Sequence, residues 1–258
     1  MTRKKSWQQR LLPWMVTLGC IVLWQLVCVL LKVDVFVLPA PTDVAKSLAE
    51  HPGMILKEAG QTLFTTMIGF VIAVAFGLVL GLVIGASRTI YDGLYPIMIS
   101  FNSIPKVAIV PVLVIWFGLG TIPAIVTAFA ISFFPIVVNV ATGLATIEPE
   151  MRDVMRVLGA RKLQIMLKIG IPRAMPYFFA SLKIAITLAF IGSVVAETVA
   201  SNAGIGYLMM VASAHFDVPL VFAGLVVIAV MGVVMYEIFA VVERRTTFWA
   251  TRGEELVT

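Results

Sequence analysis

The chain has 258 residues, of which 60% are hydrophobic and only 13% charged, and its mean hydropathy is +1.03. Soluble domains carry about 25% charged residues, so a water-soluble globule is excluded and an all-α polytopic membrane protein is expected. The net charge of +5 then reads as basic residues held at the inner membrane surface, not as a nucleic-acid footprint.

The first predicted element is an apolar run over 12–31, preceded by Arg3, Lys4, Lys5 and Arg10. Its basic start resembles a secretory signal. It is long enough to span, however, and no small-x-small cleavage site follows it, so a retained span is expected. Cys20 and Cys28 lie about 12 Å apart along that helix, too far to bond with each other, and read as small apolar residues.

Five further runs are long enough to cross about 30 Å of hydrocarbon: 63–86, 94–117, 121–146, 175–198 and 219–242. The third is the least regular, because Pro96, Pro105 and Pro111 break it and Asn102, Ser103 and Lys106 make it polar. Residues 91–104 can form a short helix or a kinked approach instead of a regular span. In the second run Gly69, Ala73, Gly77, Gly81 and Gly85 form a ladder of small residues at four-residue spacing, which permits close helix approach. Packing within the chain is the expected use, ahead of a subunit contact.

With both termini inside, most of the 19 Lys and Arg fall on the cytoplasmic side, in clusters at 3–10, 152–173 and 244–252. Only Lys32, Lys46 and Lys57 fall outside, and this asymmetry sets the orientation. The chain divides into 1–62 (a first span plus an external segment), a core over 63–242, and a cytoplasmic tail over 243–258.

Residues 147–173 interrupt the apolar pattern on the cytoplasmic side. Met151, Val154, Met155 and Leu158 recur at helical spacing, Glu148, Glu150 and Asp153 crowd the helix start, and Gly159 permits a sharp bend. Leu163, Met166 and Leu167 follow as a second amphipathic turn, and Pro172 and Pro176 punctuate the return to the membrane. On physical grounds this loop is equally a knob for a soluble partner's groove or a helix lying on the anionic inner leaflet.

Asp153, Gly159, Ile169 and Pro172 stand at the spacing acid-x5-Gly-x9-Ile-x-apolar-Pro. The pattern resembles the cytoplasmic EAA loop of ABC importer permease subunits. Val154 and Met155 replace that motif's two alanines and Ile171 its leucine. Ser103-Ile104-Pro105-Lys106 with Pro111 and Trp116-Phe117-Gly118, Val195-Ala196-Glu197-Thr198 with Asn202 through Leu208, and Glu243-Arg244-Arg245 with Trp249 are similar to the sulfonate, taurine and nitrate branch of these permeases. The resemblance implies a type I importer fold of six transmembrane helices in a bacterial inner membrane. It also implies a second copy of the chain completing the path, a periplasmic solute-binding protein, and a cytoplasmic ABC ATPase dimer that carries ATP and Mg. Glu150, Asp153, Val154, Met155, Arg156, Gly159, Ala160, Ile169 and Pro172 would form the ATPase-coupling surface. A small anionic or zwitterionic solute is implied, and the branch also includes carriers of thiamine-precursor pyrimidines. The chain itself has no G-x-x-x-x-G-K-[ST] phosphate loop, so its energy is expected from a partner.

Charges inside spans are costly, about 2.5–3.5 kcal/mol at mid-bilayer on insertion scales. Glu197, near an outer boundary, reads as a path or gate residue or as an interfacial acid reaching water. Lys106 reads as an anion attractor, a brace for the broken span, or a snorkelling or paired lysine. Asn202 joins them as a path candidate. Lys183 and Glu237 read as structural. His51 and His215 are isolated, no metal site is expected, and no catalytic arrangement is present. A self-contained channel or carrier would need acids deep in several spans, and a scaffold would not need the bend at Gly159.

Overall fold

The computed structural model describes residues 7–146 and 149–246, and every regular element among them is helical. The tail beyond 246, the first six residues and Ile147-Glu148 lie outside that description. Helix α1 spans Trp7–Leu30, and its side chains from Cys20 to Leu30 are mostly exposed. Its Trp24 ring sits 6.0 Å from Phe222, and its Gln25 bonds Thr42. Cys28 is buried and Cys20 exposed, both as free thiols. A short helix α2 (Pro41–Glu50) follows, then α3 (Pro52–Gly85). Prolines at the first turn of each suit helix starts, where the missing N–H has no intrahelical partner.

The second predicted span begins about ten residues early in space: α3 starts at Pro52, not at 63. Lys57, Glu58 and Gln61 made its first turns read as loop, but nothing in them stops a helix. The third span is bent. Helix α4 (Arg88–Asn102) and a segment of 3-10 turn plus α5 (Val110–Phe117) meet at 71°. Pro105 lacks a donor and pushes the residue before it out of the helical region. Among the described residues five helices are thus long and apolar enough to cross a membrane, or six with the bent pair taken as one. Helix α6 (Thr121–Ala145) is the central one, with Ala124, Ala128, Ile136, Val137 and Ala141 fully buried.

After α7 (Pro149–Val157) and α8 (Lys162–Ile165) the chain runs without a break through a π turn (Met166–Gly170) into α9 (Ile171–Ala200). Pro172 and Pro176 therefore do not separate a loop helix from a span. The π turn immediately precedes Pro172, where the ladder of backbone bonds must be rearranged. Helix α10 (Ile205–Ala214) is short and lies beside the opposite end of α9, and α11 (Val218–Thr246) closes the bundle.

Lipid removes the hydrophobic drive between helices, so close packing and buried hydrogen bonds hold them together. The glycine ladder of α3 faces α6. A methyl at Gly77 would lie 2.9 Å from Ile136 Cβ, at Gly81 2.8 Å from Val140 Cβ, and at Gly85 2.8 Å from Leu144 Cβ; Gly69 meets Ala128 in the same way. The offset between partners is the same at every rung, so the two helices run parallel. Replacing Gly77 by leucine is expected to cost about 1–3 kcal/mol through overpacking, read as a lower midpoint of thermal unfolding in detergent. Gly60→Ala, with nothing within 4 Å of the added carbon, should leave the midpoint unchanged.

Lys183 pairs with Glu243 at 2.6 Å, both side chains about one-fifth exposed (22%). It ties α9 to the end of α11 that carries Arg244 and Arg245. Glu237, on α11, is exposed on the bundle surface.

Candidate functional site

Two places in the bundle gather polar or shape-specific groups, one at each end. The first is the loop at 149–173. Helix α7 ends because Gly159 takes φ +78°, which L side chains adopt only with strain. Gly159 N–H donates to the Arg156 carbonyl and Ala160 N–H to the Met155 carbonyl, each at 2.9 Å. Together they are the paired bonds of a Schellman turn. Arg161 N–H is then capped by the Gln164 side chain at 2.7 Å, which starts α8. The predicted short helix, glycine bend and second helix are all present, the second being the foot of α9.

The surface of that turn is apolar and uncovered. Val154 is 60% exposed, Leu158 75% and Val157 87%, values expected of a face that meets a partner or a membrane surface. Met155, Ala160, Ile169 and Pro172 are half-buried and form its seat, while Glu150, Asp153 and Arg156 are exposed. Asp153 and Arg156 pair at 3.1 Å with both side chains more than 60% exposed, so the pair contributes little stability. Arg173 reaches back from α9 to Met151 Sδ at 3.4 Å and holds the foot of α9 against α7.

The second place is a buried carboxylate at the other end of the bundle. Glu197, on α9, is 0% exposed. Its Oε2 accepts from Thr62 Oγ1 at 2.7 Å and from Gly206 N–H at 3.2 Å. Its Oε1 accepts from Thr65 Oγ1 at 3.0 Å, and Ser193 Oγ lies 2.5 Å from Thr65 Oγ1. Thr62 Oγ1 in turn accepts from Ile205 N–H at 2.8 Å, and Glu58 Oε2 accepts from Gly204 N–H at 2.6 Å. The first N–H groups of α10 are therefore capped by side chains from α3 and α9, and the carboxylate lies at the positive end of the α10 dipole. Gly204 at φ +106° turns the chain against this carboxyl, leaving no room for a side chain there.

This geometry bears on one of the readings of Glu197. It does not reach water as an interfacial acid. It is enclosed by hydroxyls and backbone donors, with no cation bonded to it among the described residues. Asn202, two residues before Gly204, is exposed on the turn between α9 and α10 and is not a member of the network. Lys106 lies elsewhere, at the bend between α4 and α5. There its ammonium donates to Asn102 Oδ1 at 2.8 Å and to the Asn102 carbonyl at 3.2 Å, 5.7 Å from the centre of the Phe134 ring. Thr62, Thr65, Ser193 and Glu58 were not foreseen. Their signal was present: Ser193 and Glu197 are four apart on one helix, and Thr62, Thr65 and Thr66 continue the small-residue face that Gly69 begins.

Residues 73–248 match the family described as the binding-protein-dependent transport system inner membrane component. The chain belongs to that family. It is 33% identical to a probable ABC transporter permease protein of Haemophilus influenzae over 88% of this chain and 93% of that one. It is 27% identical to a formylaminopyrimidine transport permease of Halalkalibacterium halodurans over 89% of this chain and 92% of that one. A putative aliphatic sulfonates transport permease of Bacillus subtilis is also 27% identical, over 91% and 86%. Inward-facing structures of the methionine ABC transporter MetNI share the fold, with a TM-score of 0.62 at 20% identity over 72% of this chain and 92% of that one. The all-helical architecture of this permease is thus that of type I ABC importer subunits, and its place is a membrane.

Proposed function

We propose that this permease lines the path of an ATP-driven importer that moves a small solute from the periplasm to the cytoplasm across a bacterial inner membrane. A cytoplasmic ATPase dimer holds ATP and Mg, a periplasmic binding protein delivers the solute, and both termini of the permease are cytoplasmic. The observation that carries this reading is the loop: an apolar, exposed turn with its backbone fixed by Gly159, on a chain without a phosphate loop of its own. The ATPase pair, closing on ATP, would move the two loops of a homodimer and, through the unbroken 162–200 helix, tilt the spans. Such coupling requires the loop to make different contacts in two states. A second copy is supported by the α4–α5 face, where Ile115 is 81% and Trp116 69% exposed, and by the usual two-fold closure of membrane paths built from one chain.

For the solute we favour a small anion such as a sulfonate, taurine or nitrate. Lys106 supports it: an ammonium has three donors, two of which go to Asn102, leaving one for a solute at the bend. The formylaminopyrimidine relative supports a thiamine-precursor pyrimidine as the second reading. The test is reconstitution of the permease with its ATPase and binding protein in vesicles. Uptake should require ATP on the ATPase side, and uptake that persists without ATP overturns the proposal.

A further inference from the structure

At the end of the bundle opposite the loop, a cleft of about 220 Å3 lies between α2 and the start of α11. It is lined by Asp43, Lys46, Ser47, Glu50, His51 and Asp217, among others. The helical repeat puts Asp43, Ser47 and Glu50 on one face of α2, and the chain between α10 and α11 brings Asp217 opposite. Asp43 spends one oxygen on Ala40 N–H and Asp217 one on Leu220 N–H, each at 3.1 Å. Among the described residues the second oxygen of each has no partner. His51 Nδ1 lies 3.3 Å from the Ser47 carbonyl. Ser47, which lines the cleft, is 6% exposed, and among the described residues its hydroxyl has no hydrogen-bond partner. Among the described residues Lys46 is the one lysine or arginine lining the cleft, and it leans on Glu50 at 3.8 Å.

The cleft is therefore rich in acceptors, carries three carboxylates against one ammonium, and holds an orphaned hydroxyl. Solute pockets run to about 300–1,000 Å3, so this one suits a single side chain better than a whole solute. Among the described residues no group of three His, Cys, Asp or Glu is placed to hold a metal ion. On the importer reading, the face opposite the coupling loop is where the solute carrier lands. We propose that this cleft receives a lysine or arginine side chain of the periplasmic solute-binding protein. A guanidinium or ammonium brings donors only, which fits a site of acceptors, and charge complementarity would steer the encounter.

The experiment measures docking of the fluorescently labelled binding protein to the permease–ATPase complex in lipid nanodiscs, at low and at physiological ionic strength. The double variant Glu50→Gln with Asp217→Asn removes two charges and keeps the Asp217 oxygen that caps α11. It should weaken docking about fivefold or more at low salt and lose most of the salt dependence of the wild type. Ser47→Ala should weaken docking without lowering the thermal midpoint of the free complex, because the lost hydroxyl has no partner to forfeit. A purely structural role predicts the reverse. Lys57→Gln, outside the cleft on the same segment, should not weaken docking. Equal affinity of wild type and double variant at both salt concentrations overturns the proposal, and so does methylguanidinium binding in the cleft without competing with docking. Failure of the wild-type complex to dock any binding protein, with uptake still ATP-free, sinks the importer reading and this site with it.

Discussion

Gly159→Val should sharply reduce binding-protein-stimulated ATP hydrolysis by the permease–ATPase complex while leaving membrane insertion intact. The reason is conformational. Gly159 sits at φ +78°, where an L residue costs about 1–2 kcal/mol, and a β-branched one is worse still. The two bonds of the turn, Gly159 N–H to Arg156 and Ala160 N–H to Met155, then open, and Leu158 and Ala160 lose their placement. A loss of 1–2 kcal/mol at a docking surface weakens engagement by roughly 5–30-fold. A carbon added at Gly159 meets nothing within 4 Å of its own chain, so a steric clash within the permease does not account for the effect. Gly159→Asn separates the two remaining causes, because asparagine tolerates the left-handed region. If backbone strain dominates, asparagine retains most of the stimulation; if bulk against the ATPase dominates, it fails as valine does. Full stimulation in the valine variant would show that this turn does not couple the two subunits.

The second large effect is expected at Glu197. On the Oε2 side two donors have no alternative. Thr62 Oγ1 already accepts from Ile205 N–H, so its proton must go to the carboxylate, and Gly206 N–H is backbone. On the Oε1 side Thr65 and Ser193 are hydroxyls that can turn and accept. Glu197→Gln can therefore place its oxygen toward Thr62 and Gly206 and its amide toward Thr65 and Ser193, at a cost of about 1 kcal/mol. Glu197→Ala leaves two donors unsatisfied beside a cavity, and we expect it to cost about 3–5 kcal/mol. Thermal unfolding in detergent gives the difference, and faster hydrogen exchange at Gly206 should accompany it, because its carboxylate acceptor is lost. An alanine variant with the wild-type midpoint would refute the clasp. In transport, Glu197→Gln should retain activity that Glu197→Ala loses if the carboxylate acts by holding α10, and should lose it as alanine does if the carboxylate itself meets the solute.

How much of this could be read from the chain differs between the two sites. The loop was legible because its information is local. Gly159, the apolar spacing of Met151, Val154 and Leu158, and the charge break all lie within a few turns, and a Schellman turn needs only its own backbone. The Glu197 network was legible only in fragments. Ser193 and Glu197 share a helix face by spacing, but Thr62 and Thr65 belong to another helix, and nothing in sequence order states which helix faces them. Lys183 shows the same limit: the sequence marked it only as structural, and Glu243 as its partner followed only once α9 and α11 lay together. The bend of the third span lies between these cases. Its prolines announced a break, and the 71° angle depends on what α6 and α9 leave as room.

The sequence by itself determined the membrane class, the number of apolar runs, the position of the loop and the ladder of small residues, since hydropathy and helical periodicity act through neighbours along the chain. Only the tertiary structure decided that the ladder meets α6 in parallel register, that the loop's second helix is the foot of α9, and that Glu197 caps α10 from within. Each of these depends on which helix lies beside which. In lipid that choice is made by close packing and buried hydrogen bonds, quantities that exist only between segments far apart in the chain.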